Sequence, residues 1–295
     1  SWDRNALYNH AKSTDILDHW SQRRKIPREM IRSIDWEAGQ TAIKQLGLHV
    51  SLWVPTWLAG YAKVGKVLQR NKQQDHAECP RCSAFETTGN VIRCPAPQAQ
   101  RQWEASMSKL ATWLTKSLTL PDIKKAIISR LKAWHADEAI GPAPDYNWPG
   151  VNDLVRNQDL VGWRAFLEGG ILHDWAAKQQ EYYDWLQKRN TGKRWITTLI
   201  KKLWQISWNM WEHRNREKKN PASPGSLREH DRLDALINTE FEEVTQLNTR
   251  DRRWFRRPKE VLYTEPIEYK KQWLESVRLA RARYARRRHS STQAQ

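Results

Sequence analysis

Cys79-Pro80-Arg81-Cys82 sets two thiols across a tight turn, the half-site by which many chains hold a structural zinc ion. Cys94, with eleven residues between it and Cys82, is within reach as a third ligand. A closed zinc site takes four ligands, and these are the only three cysteines, so a histidine must supply the fourth. His76, three residues before Cys79, is the nearer candidate and His49 the more distant. Zinc is the one cofactor the residues suggest. The competing reading is a reduced loop that binds no metal.

A second pattern concerns phosphate. Residues 250–289 hold 14 Lys/Arg against 5 Asp/Glu, a net of +9 out of +17 for the whole chain. Such an asymmetry points to a polyanion, RNA or DNA, read with little sequence preference. The candidate contacts fall in two clusters. Arg250, Arg252, Arg253, Arg256 and Arg257 surround Trp254 and Phe255, which suits base stacking beside phosphate contact. Arg278, Arg281, Arg283, Arg286, Arg287 and Arg288 lie on a helix candidate at 274–289. The alternatives are a buried aromatic pair with a solvated basic face, and a solubilising tail.

Other chemistry is excluded quickly. Gly192-Lys193 lacks the earlier glycine of a phosphate-binding loop. No carboxylates sit at the ends of recognisable strands, as a two-metal nuclease would need. His213-Arg214-Asn215 closes a helical pattern and reads as ordinary C-terminal capping and dipole chemistry. No nucleophile–base set stands out, so no catalytic residue is assigned. Three cysteines, two of them paired as Cys-x2-Cys, do not make a secreted disulfide framework. A reducing compartment, nucleus or cytoplasm, is expected. No apolar run is long enough to span a bilayer, so no membrane partner is expected. Ser1 in place of Met suggests a portion of something longer.

The elements that must position these residues are helical. From Lys193 to Asn215 the chain has neither Gly nor Pro, and its polar positions Thr198, Lys201, Lys202, Gln205, Asn209 and Glu212 fall on one narrow stripe. Trp195, Ile196, Leu199, Ile200, Leu203, Trp204, Ile206, Trp208, Met210 and Trp211 cover the rest, so other helices must surround this one. Helices are also expected within 4–24, after a cap at Asp35, on either side of Gly60, over 103–114, from Pro121, over 160–168 and 171–189, and from a Ser226/Glu229 capping box to about Leu247. The second of the pair before Gly192 should lie antiparallel to the core helix. The fold class is mainly α, with multi-helix packing on a Trp-rich core helix and a small cysteine loop near 76–94. Expected divisions are an N-terminal helical region 1–135, a Pro/Gly-rich linker 136–152, a Trp-rich domain 153–249 and a basic segment 250–295 with a frayed end.

The cysteine segment also carries a family likeness. Cys79-Pro-Arg-Cys82, Glu86-Thr87-Thr88 and Val91-Ile92-Arg93-Cys94 together resemble the zinc-binding region that follows the polymerase in non-LTR-type retroelement reverse transcriptases. Gly-Tyr-Ala-Lys-Val-Gly-Lys at 60–66 looks like its lead-in, and Trp208-Asn-Met-Trp211-Glu-His-Arg214-Asn215 is similar to a Trp-x2-Trp-x2-Arg-Asn element found after it. As a whole, residues 2–289 look like the C-terminal part of retroelement-type reading frames of diatoms and other microalgae. The family has a histidine four residues before the last cysteine, where this chain has Asn90. Either His76 substitutes for it or the site has decayed, as happens in copies of mobile elements. The resemblance implies nucleic-acid handling beside a reverse transcriptase, with any catalytic carboxylates upstream of Ser1. The alternative function is a structural or protein-interaction helical module without nucleic-acid binding.

Overall fold

A computed structural model describes residue 21 and residues 26–139, 141, 145–244, 247–248 and 250–292, with side chains followed to Arg286. The helices expected within 4–24 therefore lie outside the described residues, as do the side chains of Arg287 and Arg288. Among the described residues every regular element is helical, and extended pairing is limited to two isolated bridges, Ile34 with Leu172 and Glu78 with Phe85. The mainly α class is what the structure has. Among the described residues no helix is long and apolar enough to cross a membrane.

The chain divides into two compact units, Ser1–Cys79 with Ala84–Arg214, and Pro80–Ser83 with Asn215–Gln295. The stretch expected as a linker thus falls inside the first unit. Its aromatic residues explain why: Tyr146 is buried, and the Trp148 N–H donates to Asp122 Oδ2 at 2.7 Å. The basic segment is no separate tail, since residues from both sides of Thr249 build the core of the second unit.

The core helix runs Gly192–Lys219, its residues up to Arg214 belonging to the first unit, and its buried face holds Trp195, Ile196, Leu199, Ile200, Leu203, Trp204, Ile206, Met210 and Trp211. The polar stripe stays exposed or half-buried. Buried indoles need a partner for their N–H. Trp195 finds Thr119 Oγ1 at 2.9 Å and Trp204 finds the Glu168 carbonyl at 2.9 Å. The abundance of tryptophan has a packing role. Trp53 and Trp57 of the Leu48–Leu58 helix stack at 4.9 Å, and Trp53 meets Trp208 edge-on at 5.2 Å. Gly192 starts the core helix against the middle of the Asp174–Trp185 helix, its N–H donating to Gln180 Oε1 at 2.8 Å. The two helices meet there, at Ala176 and Gln180.

Several local expectations hold. Asp35 caps the Trp36–Lys44 helix by accepting from Ala38 N at 2.8 Å. Gly60, at φ 75°, separates Leu48–Leu58 from Gly65–Arg70. Pro121 opens the helix to His135. The capping box is displaced: Ser223, not Ser226, caps the helix, which runs Pro224–Glu242. Ser223 Oγ accepts the Ser226 N–H at 3.1 Å, and Pro224 takes the first helical position, where a missing N–H is harmless.

The second unit is a helical assembly of Pro224–Glu242, a 3-10 turn at Asp251–Phe255, Lys259–Tyr263 and Ile267–Thr292. Leu233, Ile237 and Leu247 pack with Leu262, Trp273, Leu274, Val277 and Ala280 in one buried cluster. The acidic end of the first helix has a structural purpose: Glu240 and Glu243 both lie within ion-pair distance of Arg281.

Candidate functional site

The cysteine turn is closed by the chain itself. Cys79 N–H donates to the Ala84 carbonyl at 2.8 Å, and Glu86 N–H to the Ala77 carbonyl at 2.7 Å, so Pro80–Ser83 form a short closed knuckle. Ser83 takes a left-handed conformation at φ 66° to complete the turn. Beyond it, Thr87 caps a single helical turn, Thr88–Ile92, by accepting from Asn90 N at 3.2 Å. This turn carries the chain back to Cys94, whose carbonyl accepts from Gln100 Nε2 at 2.8 Å.

The result brings the sulfurs of Cys79, Cys82 and Cys94 within 4.8 Å of one another. Cys79 and Cys94 are wholly buried, with their sulfurs 3.9 Å apart, and none of the three cysteines is joined in a disulfide. A disulfide needs about 2.05 Å. A tetrahedral zinc with bonds of about 2.3 Å holds its sulfurs about 3.8 Å apart. The observed spacing therefore fits a shared metal ion, and the donor set is the soft, thiolate-rich type that zinc takes. The gathered group contains no histidine. His76 stands outside it, with Nδ1 accepting the Glu78 N–H at 3.2 Å and beside Gln74 Nε2 at 3.0 Å. His49 is exposed on the Leu48–Leu58 helix.

Two charged residues behind the loop were not assigned to it from the sequence. Arg214 is not a capping residue, because the helix continues to Lys219. Its side chain is buried, and Nε donates to Glu86 Oε1 at 2.8 Å. Glu86 is also fully buried, and its Oε2 takes the Gly65 N–H at 2.6 Å. Gly65 is required there, since a Cβ would lie 2.6 Å from the Ala77 carbonyl oxygen. The lead-in, the cysteine turn and the core helix thus meet at one carboxylate. The signal was present: Glu86 and Arg214 belong to the two short elements that the resemblance singled out.

The candidate phosphate contacts divide by environment. Arg257 pairs with Glu265 at 2.8 Å and touches Tyr269 Oη, Arg281 bonds Glu240 at 2.6 Å, and Arg283 lies 3.7 Å from Asp251. Lys270 and Lys271 likewise meet Asp234 and Glu229. Arg252 and Arg286 are exposed but engaged. Arg250, Arg253, Arg256 and Arg278 are exposed and make no ion pair among the described residues, Arg253 lying 5.3 Å over the Trp254 ring. Trp254 and Phe255 are half-buried against the unit's core, where the Trp254 carbonyl accepts from Trp273 Nε1 at 3.0 Å. Neither ring stands out as an open stacking surface. Comparison of the chain with protein-family models, curated proteins and solved structures finds no match.

Proposed function

We propose that the chain is a non-catalytic nucleic-acid-binding module, an accessory region of the kind that accompanies a retroelement reverse transcriptase, with a zinc-stabilised cysteine loop. The observation that carries this reading is charge left without carboxylate partners. In a segment of net +9, Arg250, Arg253, Arg256 and Arg278 remain exposed without an ion pair among the described residues. Guanidinium groups in that state favour phosphate oxygens, and on a helical surface they meet backbone before bases, so little sequence preference is expected. The thiol cluster supports the same reading. Cys79, Cys82 and Cys94 would hold the ion, and the bound ion would supply cross-linking that so short a loop cannot obtain from a core of its own.

The test is a salt titration of RNA and DNA oligonucleotides against the full chain and a variant with Arg250, Arg253, Arg256 and Arg278 all changed to Gln. Each phosphate neutralised contributes a logarithmic slope of about −0.7 to −0.9. The wild type should show a slope of roughly −4 to −5, and the variant should lose about 3 of it. No binding by the wild type at low salt, or an unchanged slope in the variant, would leave a structural or protein-interaction module as the better reading.

A further inference from the structure

Most tryptophans of the first unit are wholly or partly buried, but Trp185 is not. It ends the Asp174–Trp185 helix with 67% of its surface exposed. Its ring is nevertheless held in place. It stacks on Tyr182 at 5.8 Å and 17°, and both rings stand nearly perpendicular to Trp148, at centroid distances of 5.8 and 5.3 Å. Trp148 is fixed in turn by its N–H bond to Asp122 and by the turn at Gly150, φ 80°, that starts the Val151–Val161 helix. The three rings form a preorganised aromatic patch with one indole open to solvent. A large apolar surface kept this exposed on a rigid support calls for a ligand.

The charges nearby indicate its chemistry. The segment after Trp185 runs Leu-Gln-Lys-Arg-Asn-Thr-Gly-Lys-Arg, with four cations and no acid. Lys193 bonds Glu37 at 2.6 Å, whereas Lys188, Arg189 and Arg194 are exposed and make no ion pair among the described residues. The preceding acids have partners: Asp184 accepts from Gln180 Nε2 and Glu181 from Lys178 Nζ. An open π face followed by unpaired cations complements an unpaired nucleobase and its flanking phosphates. A duplex hides its base faces and could use only the cations.

We propose that Trp148, Tyr182 and Trp185 form a stacking platform for an unpaired base of single-stranded nucleic acid, with Lys188, Arg189 and Arg194 at the adjoining phosphates. The proposal rests on the nucleic-acid reading above but uses residues separate from the arginines tested there. It is checked by fluorescence anisotropy with an end-labelled oligothymidine and a hairpin duplex of equal charge. The proteins are the full chain, Trp185→Ala, Trp185→Phe and a Lys188→Gln/Arg189→Gln/Arg194→Gln variant. Trp185→Ala should weaken single-strand binding about 5- to 100-fold and leave duplex affinity and the salt slope unchanged. Trp185→Phe should keep most of the affinity, since a ring still stacks. The triple variant should lower the slope on both probes by about 2. Because Trp185 is exposed, its variants should melt as the wild type does. Single-strand binding by Trp185→Ala within twofold of wild type would overturn the platform, and would leave the nucleic-acid reading standing if the Arg250/Arg253/Arg256/Arg278 variant is weakened. Absence of binding by the wild type to either probe would overturn both.

Discussion

Glu86 accepts from Arg214 and from the Gly65 N–H in a place closed to water. Breaking a buried ion pair leaves one charge without compensation and costs about 3–5 kcal/mol, whereas replacing both partners with apolar groups is often close to neutral. Arg214→Met should therefore destabilise the first unit by about that amount, and Glu86→Leu/Arg214→Met should recover much of it. Denaturant midpoints of the two variants check this, and a double variant no better than the single one would contradict it. His135 gives the same unit a pH response. Burial, with the Arg93 charge nearby, lowers its pKa from 6.5 to about 4, opposed by its Nε2–H bond to the Ile92 carbonyl. The ring also stacks on Trp103 at 4.1 Å. Because the folded value lies below the unfolded one, the unfolded chain binds the proton more tightly. The neutral ring's contribution is complete above pH 6.5 and is lost as pH falls through 6.5 towards 4, by at most about 3 kcal/mol. Urea midpoints at pH 7 and pH 4.5 should show that loss in the wild type and a smaller one in His135→Gln.

At the scale of elements, two glycines in helical sequence predict opposite results. A Cβ on Gly192 would lie 2.0 Å from the Ala176 carbonyl oxygen, a backbone atom unable to retreat, so Gly192→Ala should cost 2 kcal/mol or more, on the order of an overpacked core. A Cβ on Gly39 meets nothing within 4 Å inside the Trp36–Lys44 helix, and Gly39→Ala should stabilise by about 0.5–1 kcal/mol. Thermal melts of the pair decide it. The helices themselves were legible because their period and caps are local: the core helix, the Asp35 cap and the break at Gly60 all follow from neighbours in sequence. The Ser223 cap was missed because Pro221–Gly225 reads as a break, although Pro is favourable at a first helical position. Arg214 was misread because the true end of its helix lies five residues on, in a polar stretch with no periodicity to extend. What the chain's periodicity does not reveal is a partner 128 positions away.

Considered whole, the chain has its two units divided elsewhere than its Pro- and Gly-rich stretch suggests. Composition marks where a backbone can turn, but Tyr146 and Trp148 decide where it docks, and the burial of the one and the half-burial of the other are tertiary facts. The basic segment was visible as charge, yet its second role was hidden: Trp273, Leu274 and Val277 complete a core with Leu233 and Ile237. Deleting residues 250–295 would strip that core, which is why phosphate binding is better probed by substituting charges. The cysteine spacing was fully legible, and the geometry now sharpens its prediction. Protein purified under reducing, chelator-free conditions should carry close to one zinc per chain, and Cys82→Ser should lose it; metal analysis finding none in the wild type would refute the assignment. Asn90→His restores the ligand type that the resemblance places there and should tighten retention against a chelator.

The buried carboxylate has a consequence in time. A ribosome adds about 5–20 residues per second, so the 128 positions between Glu86 and Arg214 correspond to roughly 6–26 s of synthesis. For all but the first eight residues of that interval the nascent chain already contains Cys79, Cys82 and Cys94 but not the guanidinium that neutralises the residue behind them. The knuckle can be written early and locked only late. Until then its thiols belong to an open chain, accessible to oxidants and to any passing thiophilic ion, and the order of synthesis makes early metal capture the natural protection.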